Sequence, residues 1–238
     1  MEPAEYDLMD AAEDRMWWYR ALHARLLAAL ADAHGSVLDA GCGTGGFLAR
    51  LRAARPDLRL SGIDWSGPAC RRATTKSGAA IVRGSANALP FADASFDAVV
   101  AADLLCHRAV DPARALPELR RVLRAGARLV VNMPAFSWLL SAHDRRVHNV
   151  RRLSAGQLVA ILQDAGFRQV RARYWNGLLL PLMVAQRKLR ARDGADSDVA
   201  AAFPPWLDAM LHGMTDIERR LPFALPAGGS VLATAERP

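Results

Sequence analysis

Lysine is almost missing from this chain: of its 31 basic side chains only Lys76 and Lys188 are lysines, and the rest are arginines. Cysteine is scarce as well. Cys42, Cys70 and Cys106 are odd in number, scattered and without metal-ligand spacing, which argues against a disulfide framework and a zinc site and for a reducing, cytoplasmic setting. No run approaches the ~20 consecutive apolar residues that a membrane-crossing helix needs. The acidic stretch from Met1 to Asp14 lacks the basic-then-apolar order of a secretory leader. Internal repeats and low-complexity tracts are absent, and Arg192–Asp198 is the one linker-like piece.

The 238 residues, 52% of them hydrophobic, suffice for one substantial core, and a single domain over 1–238 is expected. The formal charge of +7 is unevenly placed. Between Ser141 and Arg192 eleven basic residues face only Asp144 and Asp164, so the remainder is slightly acidic. That stretch is either an anion-favouring acceptor or docking surface or simply solvated arginines on helix faces.

Apolar runs alternate with helix-length amphipathic stretches, the pattern of a parallel sheet covered on both sides. Strands are expected at Ser36–Ala40, Arg59–Asp64, Ala80–Arg83, Asp97–Ala102, Arg128–Met133, Arg168–Trp175 and Ser230–Ala235. Helices are expected at Thr44–Ala54, Pro68–Ser77, Pro112–Arg124 and Ser154–Ala165, with Asp111 and Ser154 as caps and Gly78, Gly126 and Gly166 as stops. Residues 176–229 are too long and too apolar for a plain loop. They hold two helices, Leu178–Arg190 and Pro205–Leu221. The second places Trp206, Leu207, Met210, Leu211, Met214, Ile217 and Leu221 on one face. A helical lid over 177–227 follows, or a surface for self-association as a homodimer. The first helix, apolar and then basic, is a lid helix or a peripheral membrane contact.

Residues 37–46, Val-Leu-Asp-Ala-Gly-Cys-Gly-Thr-Gly-Gly, constrain function most. A buried strand ends at Asp39, and the chain turns through Gly41, Gly43 and Gly45 into a helix. Glycine serves where φ is positive or where a ligand approaches the backbone, and the helix N-terminus behind the turn offers free N–H groups. Gly41-x-Gly43-x-x-Gly46 also satisfies the dinucleotide fingerprint, so the glycines alone leave a nicotinamide oxidoreductase open.

The stretch Val37-Leu-Asp-Ala-Gly-Cys-Gly-Thr-Gly45 resembles motif I of the class I S-adenosylmethionine (SAM)-dependent methyltransferases, type 11-like small-molecule enzymes among them. The resemblance continues through Gly62-Ile63-Asp64, Ala88-Leu89-Pro90-Phe91, Ser95-Phe96-Asp97-Ala98-Val99-Val100, Leu116–Gly126 and Leu162-x-x-Ala165-Gly166-Phe167, in family order from about residue 36 to 175. It implies a Rossmann-like, doubly wound α/β sheet of seven strands, the last antiparallel, with a helical insertion between the last two. It also implies SAM as cofactor. Asp39 would help hold the SAM amino group beside Ala40, Gly41 and Gly43, and Asp64 would accept from the ribose hydroxyls beside Trp65. Where many relatives carry an Asp after the third strand, this chain has Gly84-Ser85-Ala86-Asn87. Adenine contacts then pass to Ser85, Ala86 and Asn87, Asn87 being equally a loop cap. Ala102 closes the fourth strand at the same site. Trp17-Trp18-Tyr19-Arg20 resembles a cofactor-covering segment within an N-terminal helical cover over 1–34. Trp18 would sit near the sulfonium and Arg20 would pair with the SAM carboxylate, or the aromatics pack on the sheet.

Methyl transfer needs alignment, exclusion of water and sometimes removal of a proton, so the acceptor is written elsewhere. His107 follows the fourth strand at a position where many small-molecule methyltransferases also have histidine. His143, Asp144 and His148 follow the fifth, and two histidines beside a carboxylate would supply a general base of near-neutral pKa. Their spacing matches no metal motif. The alternative is that Asp144 only neutralises nearby arginines. Trp175 and Asn176 are expected near the same pocket. No Asn/Asp-Pro-Pro-aromatic or Pro-Cys motif and no aromatic–basic array is present, which argues against nucleic acid. The expected acceptor is a small molecule, anionic, amphipathic or lipid-linked; a non-catalytic SAM- or nucleoside-binding interaction module is the other reading.

Overall fold

The computed structural model describes residues 3–185 and 204–238. The second half of the helix expected over Leu178–Arg190, the linker Arg192–Asp198 and most of the basic segment considered for membrane contact lie outside the described residues.

Seven strands form one sheet in the order β3-β2-β1-β4-β5-β7-β6. They are β1 (Ser36–Ala40), β2 (Arg59–Asp64), β3 (Ala80–Arg83), β4 (Phe96–Ala102), β5 (Leu123–Pro134), β6 (Arg168–Trp175) and β7 (Ser230–Glu236). The first five pair in parallel, and β7 inserts antiparallel between β5 and β6. This is the doubly wound sheet with a reversed last strand that the motifs imply.

Successive side chains of a strand point to opposite faces, and the core divides accordingly. Ala98, Val100 and Val130 meet Leu22 and Leu26 of α2 (Trp17–Ala29) and Leu48 and Leu51 of α3 (Gly46–Ala54). Val99, Ala101, Leu129 and Val131 meet Leu116 and Leu119 of α5 (Pro112–Val122) and Leu158 and Leu162 of α7 (Ala155–Asp164). Asp111 caps α5 by accepting from the Ala113 N–H at 3.0 Å, and Ser154 with Gln157 closes a reciprocal capping box on α7.

The α5–β5 boundary departs from expectation. The helix stops at Val122 and the chain is already extended at Leu123, which pairs with Phe96. Gly126 does not end the helix; it lies inside β5 at φ +74, its N–H donating to the Arg237 carbonyl at 2.8 Å. The apolar pair Val122–Leu123 suits a helix face and a strand equally, and sheet pairing decides it.

Two further helices close the C-terminal edge of the sheet. α1 (Pro3–Ala12) is tied to α4 (Gly67–Ser77) by a charge ladder in which Asp7 pairs with Arg72, and Asp10 and Glu13 pair with Lys76 at 2.5 Å each. Within the insertion, residues 180–185 are helical, and α8 (Pro205–Arg219) packs on α2. α2 has no side-chain cap of its own. Asp208 of α8 supplies it, accepting from the Trp17 N–H at 2.7 Å, as suits a negative group at a helix N-terminus. Among the residues expected on one face of α8, Leu207, Leu211 and Met214 pack with Trp17 and Leu179. Trp206, Met210 and Ile217 stay exposed at 69%, 47% and 61%, because the helix turns Asp208, Thr215 and Glu218 toward the body instead.

Candidate active site

A cavity of about 740 Å³ lies over the carboxyl ends of β1, β2, β4 and β5, roofed by α1 and α2 and closed at one end by residues around Asn176, Met183 and Gly229. At one end the glycine turn is zipped to β2: the Gly41 and Cys42 N–H groups both donate to the Ile63 carbonyl, at 2.8 and 3.0 Å. Gly43 has φ +53, and a Cβ there would stand 2.6 Å from Met9 Cε of α1. Gly45, at φ +89, would meet the Ala73 backbone at 2.6 Å. The backbone clash leaves no room for a side chain at Gly45, while at Gly43 the positive φ disfavours one and Met9 would have to move aside.

Asp64 Oδ2 accepts from the Gly43 N–H at 3.0 Å, and Oδ1 accepts from the Ser66 N–H at 2.9 Å and the Tyr6 hydroxyl at 3.4 Å. Burial nevertheless holds its carboxyl above the ordinary range. Asp39 is 3% exposed; burial, reinforced by Asp64 and Glu13, pushes it up to about 7. Glu13 itself is buried. Its carboxylate lies against Gly46 at the start of α3, accepts from the Thr44 hydroxyl at 2.8 Å and is raised by burial. Lys76 already neutralises Glu13 at 2.5 Å, so Asp39 and Asp64 are the two crowded carboxylates left to meet a cationic ligand. Glu13 fills the N-terminus of α3, where a dinucleotide fold seats its pyrophosphate.

The other end is built by the segments after β4, β5 and β6. Asp103, Phe136 and Asn176 each take a left-handed backbone there, at φ +49, +56 and +60; such residues are uncommon outside glycine and gather at functional sites. Asp103 and Asn176 line the cavity. Asn132, fully buried at the end of β5, accepts from Trp175 Nε1 at 2.8 Å and donates through Nδ2 to Asp103 Oδ1 at 3.0 Å. Trp175 lies between the stacked ring of Trp18 (5.8 Å) and the Arg25 guanidinium (4.6 Å). Enclosure pushes the Asp103 carboxyl up to about 7, against the Asn132 bond and the charge of Arg152. Asn176 is 1% exposed, and its Oδ1 has no hydrogen-bond partner among the described residues. Glu218 of α8 accepts from the Asn176 and Gly177 N–H groups at 2.7 Å each and faces Arg25 at 3.4 Å, fastening the insertion to this edge.

The matching family model, described as a methyltransferase domain, covers residues 38–131. O-methyltransferase resE of Aspergillus sclerotiorum is 34% identical over 182 residues, 70% of this chain and 66% of that protein. O-methyltransferase rstn1 of Aspergillus nomiae is 34% identical over 184 residues, 71% of this chain and 78% of that protein. The chain belongs to the class I SAM-dependent methyltransferases. It spans 47% to 66% of the length of the first curated relatives it matches. A solved SAM-dependent methyltransferase from Thermotoga maritima shares the fold, with a TM-score of 0.62 at 19% identity over 99% of this chain and 96% of that one.

Trp18, Asp39, Gly41, Gly43, Asp64, Trp65, Ser85, Ala86 and Ala102 line the cavity, as do His107, His143 and Asp144. Four residues expected at the site are placed otherwise. Arg20 is paired with Asp208 of α8, at 2.7 Å, and does not line the cavity. Ala40 is fully buried beneath the turn. Asn87 clamps the loop before α5, donating to the Ala109 carbonyl and accepting from the Asp111 N–H, each at 2.9 Å. His148 is set behind His107, ring centroids 5.9 Å apart.

Asp144 lines the wall as an ion-pair member. It is 1% exposed and takes a forked bond from Arg152, with Nη2 2.8 and 2.9 Å from its two oxygens. Burial raises its carboxyl, but Arg152 and Ser141 outweigh that and hold it below the usual range, which makes it a poor base. His107 is pushed down to about 4, first by burial and then by surrounding positive charge including Arg108 and Arg151. Its Nδ1 accepts from the Ala109 N–H at 3.2 Å, so the neutral ring carries its proton on Nε2 and acts as a donor. Arg151 donates to the Leu105, His107 and Val110 carbonyls at 3.2, 2.9 and 2.9 Å.

Sequence reasoning missed Tyr6, Met9, Glu13, Asp103 and Asn132, while Trp175 and Asn176 were expected near the pocket. Only Asp103 left a sequence signal, as an acid directly behind a buried strand.

Proposed function

We propose that this chain transfers the methyl group of SAM to a neutral, largely apolar small molecule. The observation that carries the reading is the acidic cofactor end, where Asp39 and Asp64, crowded together and buried, favour a cationic ligand. SAM supplies a methyl group already activated on a sulfonium sulfur. Asp39 would hold the ligand's ammonium, Asp64 the ribose hydroxyls, and Ser85 and Ala86 the adenine edge. Trp18, fixed on Trp175, would present a ring to the sulfonium side.

Leu104, Val110, Val147, Met183 and Trp17 give the acceptor half an apolar wall. The arginines that suggested an anionic acceptor support it less once placed, since Arg151 and Arg152 already bond to carbonyls and to Asp144. His107 would donate to the acceptor from Nε2. The two fungal relatives are O-methyltransferases by name, which supports an oxygen acceptor.

Titration with SAM, S-adenosylhomocysteine and NADH tests the reading. The expected result is binding of the first two, abolished in Asp64→Ala, and no response to NADH. Tight NADH binding without SAM binding would overturn it, and SAM binding with no transfer to any acceptor panel would favour the binding-module alternative.

A further inference from the structure

We propose that Asp103 is the general base of the transfer and that the acceptor is therefore a hydroxyl, alcohol or phenol, that loses its proton as it is methylated. This rests on the SAM reading above. The carboxylates on the acceptor side of the cavity are Glu5, Asp103 and Asp144. Asp144 is held ionised by Arg152, and Glu5 faces Arg146 at 3.9 Å. Asp103 is bonded only by a neutral amide among the described residues, at Oδ1.

The amide has one orientation. The indole N–H of Trp175 can only donate, so the Asn132 oxygen must face it and Nδ2 must face Asp103. An amide N–H serves a carboxylate and a protonated carboxyl alike, so it steadies the group through a proton transfer while Oδ2 receives the proton. The left-handed turn at Asp103, with its N–H on the Asn132 carbonyl at 2.9 Å, sets the side chain at the β4 edge over the cavity. Asn132 bonds it, and the charged or titratable groups that act on it electrostatically are Arg152, Asp144, Tyr19 and the Cys106 thiol. Tyr19 and Cys106 are both raised by burial, so they stay neutral, and the Arg152 charge is shared with Asp144. Raised to about 7 by enclosure, Asp103 is ionised often enough at neutral pH to accept a proton and basic enough to take one. Asn176 Oδ1, buried and unpartnered, is a second acceptor atom in the same wall, again suited to a ligand that brings O–H donors.

In the step, the acceptor oxygen forms its bond to the methyl carbon as the sulfur–carbon bond breaks. The sulfur keeps that electron pair and becomes neutral, and the acceptor proton passes to Asp103 Oδ2. Asn132 acts through Asp103 and is a positioning residue.

The whole chain is tested, loaded with S-adenosylhomocysteine, using 2-naphthol and 2-methoxynaphthalene as fluorescent probes. Wild type should bind the naphthol at least tenfold tighter than its ether at pH 8. The preference should fade as pH falls through about 7 and be absent in Asp103→Asn. With labelled SAM and 2-naphthol, Asp103→Asn should lose roughly 100-fold or more in kcat at unchanged SAM affinity. Asp103→Glu should restore part of it, and Asn132→Ser should move the pH midpoint. Equal affinity for naphthol and ether in wild type, or a preference that survives in Asp103→Asn, overturns the assignment of Asp103. Failure of wild type to bind SAM instead overturns the reading beneath it.

Discussion

Asp39 shows what a single buried carboxyl imposes. It titrates at about 7 in the folded chain, and a cationic ligand binds only its ionised form. SAM affinity should therefore weaken as pH falls below 7, by up to about tenfold per unit, and Asp39→Asn should bind weakly with no such dependence. Calorimetric titration between pH 5.5 and 8.5 checks this, and a flat wild-type profile contradicts it. Asp39 was legible in the sequence because it stands two residues before the glycine turn, and Asp64 because it ends the second strand in a motif of the resemblance, although its bond to the Gly43 N–H spans 21 residues. Asp103 was not, since its meaning comes from Asn132, 29 residues downstream, and from an indole further on. Asp144 was legible as a carboxylate beside basic residues, but which arginine takes it, and so whether it can act as a base, is decided only by folding.

At the scale of elements, strands were easier than faces. A buried parallel strand is an unbroken apolar run with turn residues at each end, and the sheet was visible in that pattern. The α5–β5 boundary moved because two apolar residues satisfy helix and strand alike. The apolar face of α8 is only half covered: helical periodicity counts apolar residues and gives no weight to the polar ones that dock it. Asp208 and Glu218 do that docking. Glu218→Ala removes the acceptor of the Asn176, Gly177 and Leu178 N–H groups and breaks the ion pair with Arg25, at a cost of about 3 kcal/mol. Chemical denaturation should give that loss together with a changed near-ultraviolet signal from the Trp18–Trp175 stack. A loss under about 0.5 kcal/mol would mean that α8 is held by its apolar contacts alone.

Over the whole molecule the buried groups oppose one another. Asp39 and Asp103, raised from an unfolded ~3.9 to about 7, contribute stability that is full below the first value and lost as pH rises through the second. His23 and His107, lowered from 6.5 to about 4, contribute stability present above 6.5 and lost as pH falls toward 4. Between those limits these two pairs offset; above 6.5 the raised acids still change, Glu13 and Asp64 on the same side. The ligand-free chain should thus show a Tm that declines from about pH 6.5 toward pH 8, which SAM reverses by pairing with Asp39. A Tm that rises over that upper range in scanning fluorimetry contradicts the balance. The surplus of positive charge after Ser141 was visible at once, but its use was not. Arg151 ties the segment after β4 to the one that follows α6 (Ala142–Arg146), and the Arg108 N–H meets the His148 carbonyl alongside it. The acceptor wall is thus one module drawn from two separate stretches of chain. Grafting either stretch into a relative without the other would carry over half a wall, and any drift in substrate range must pass through paired changes on both sides of that arginine.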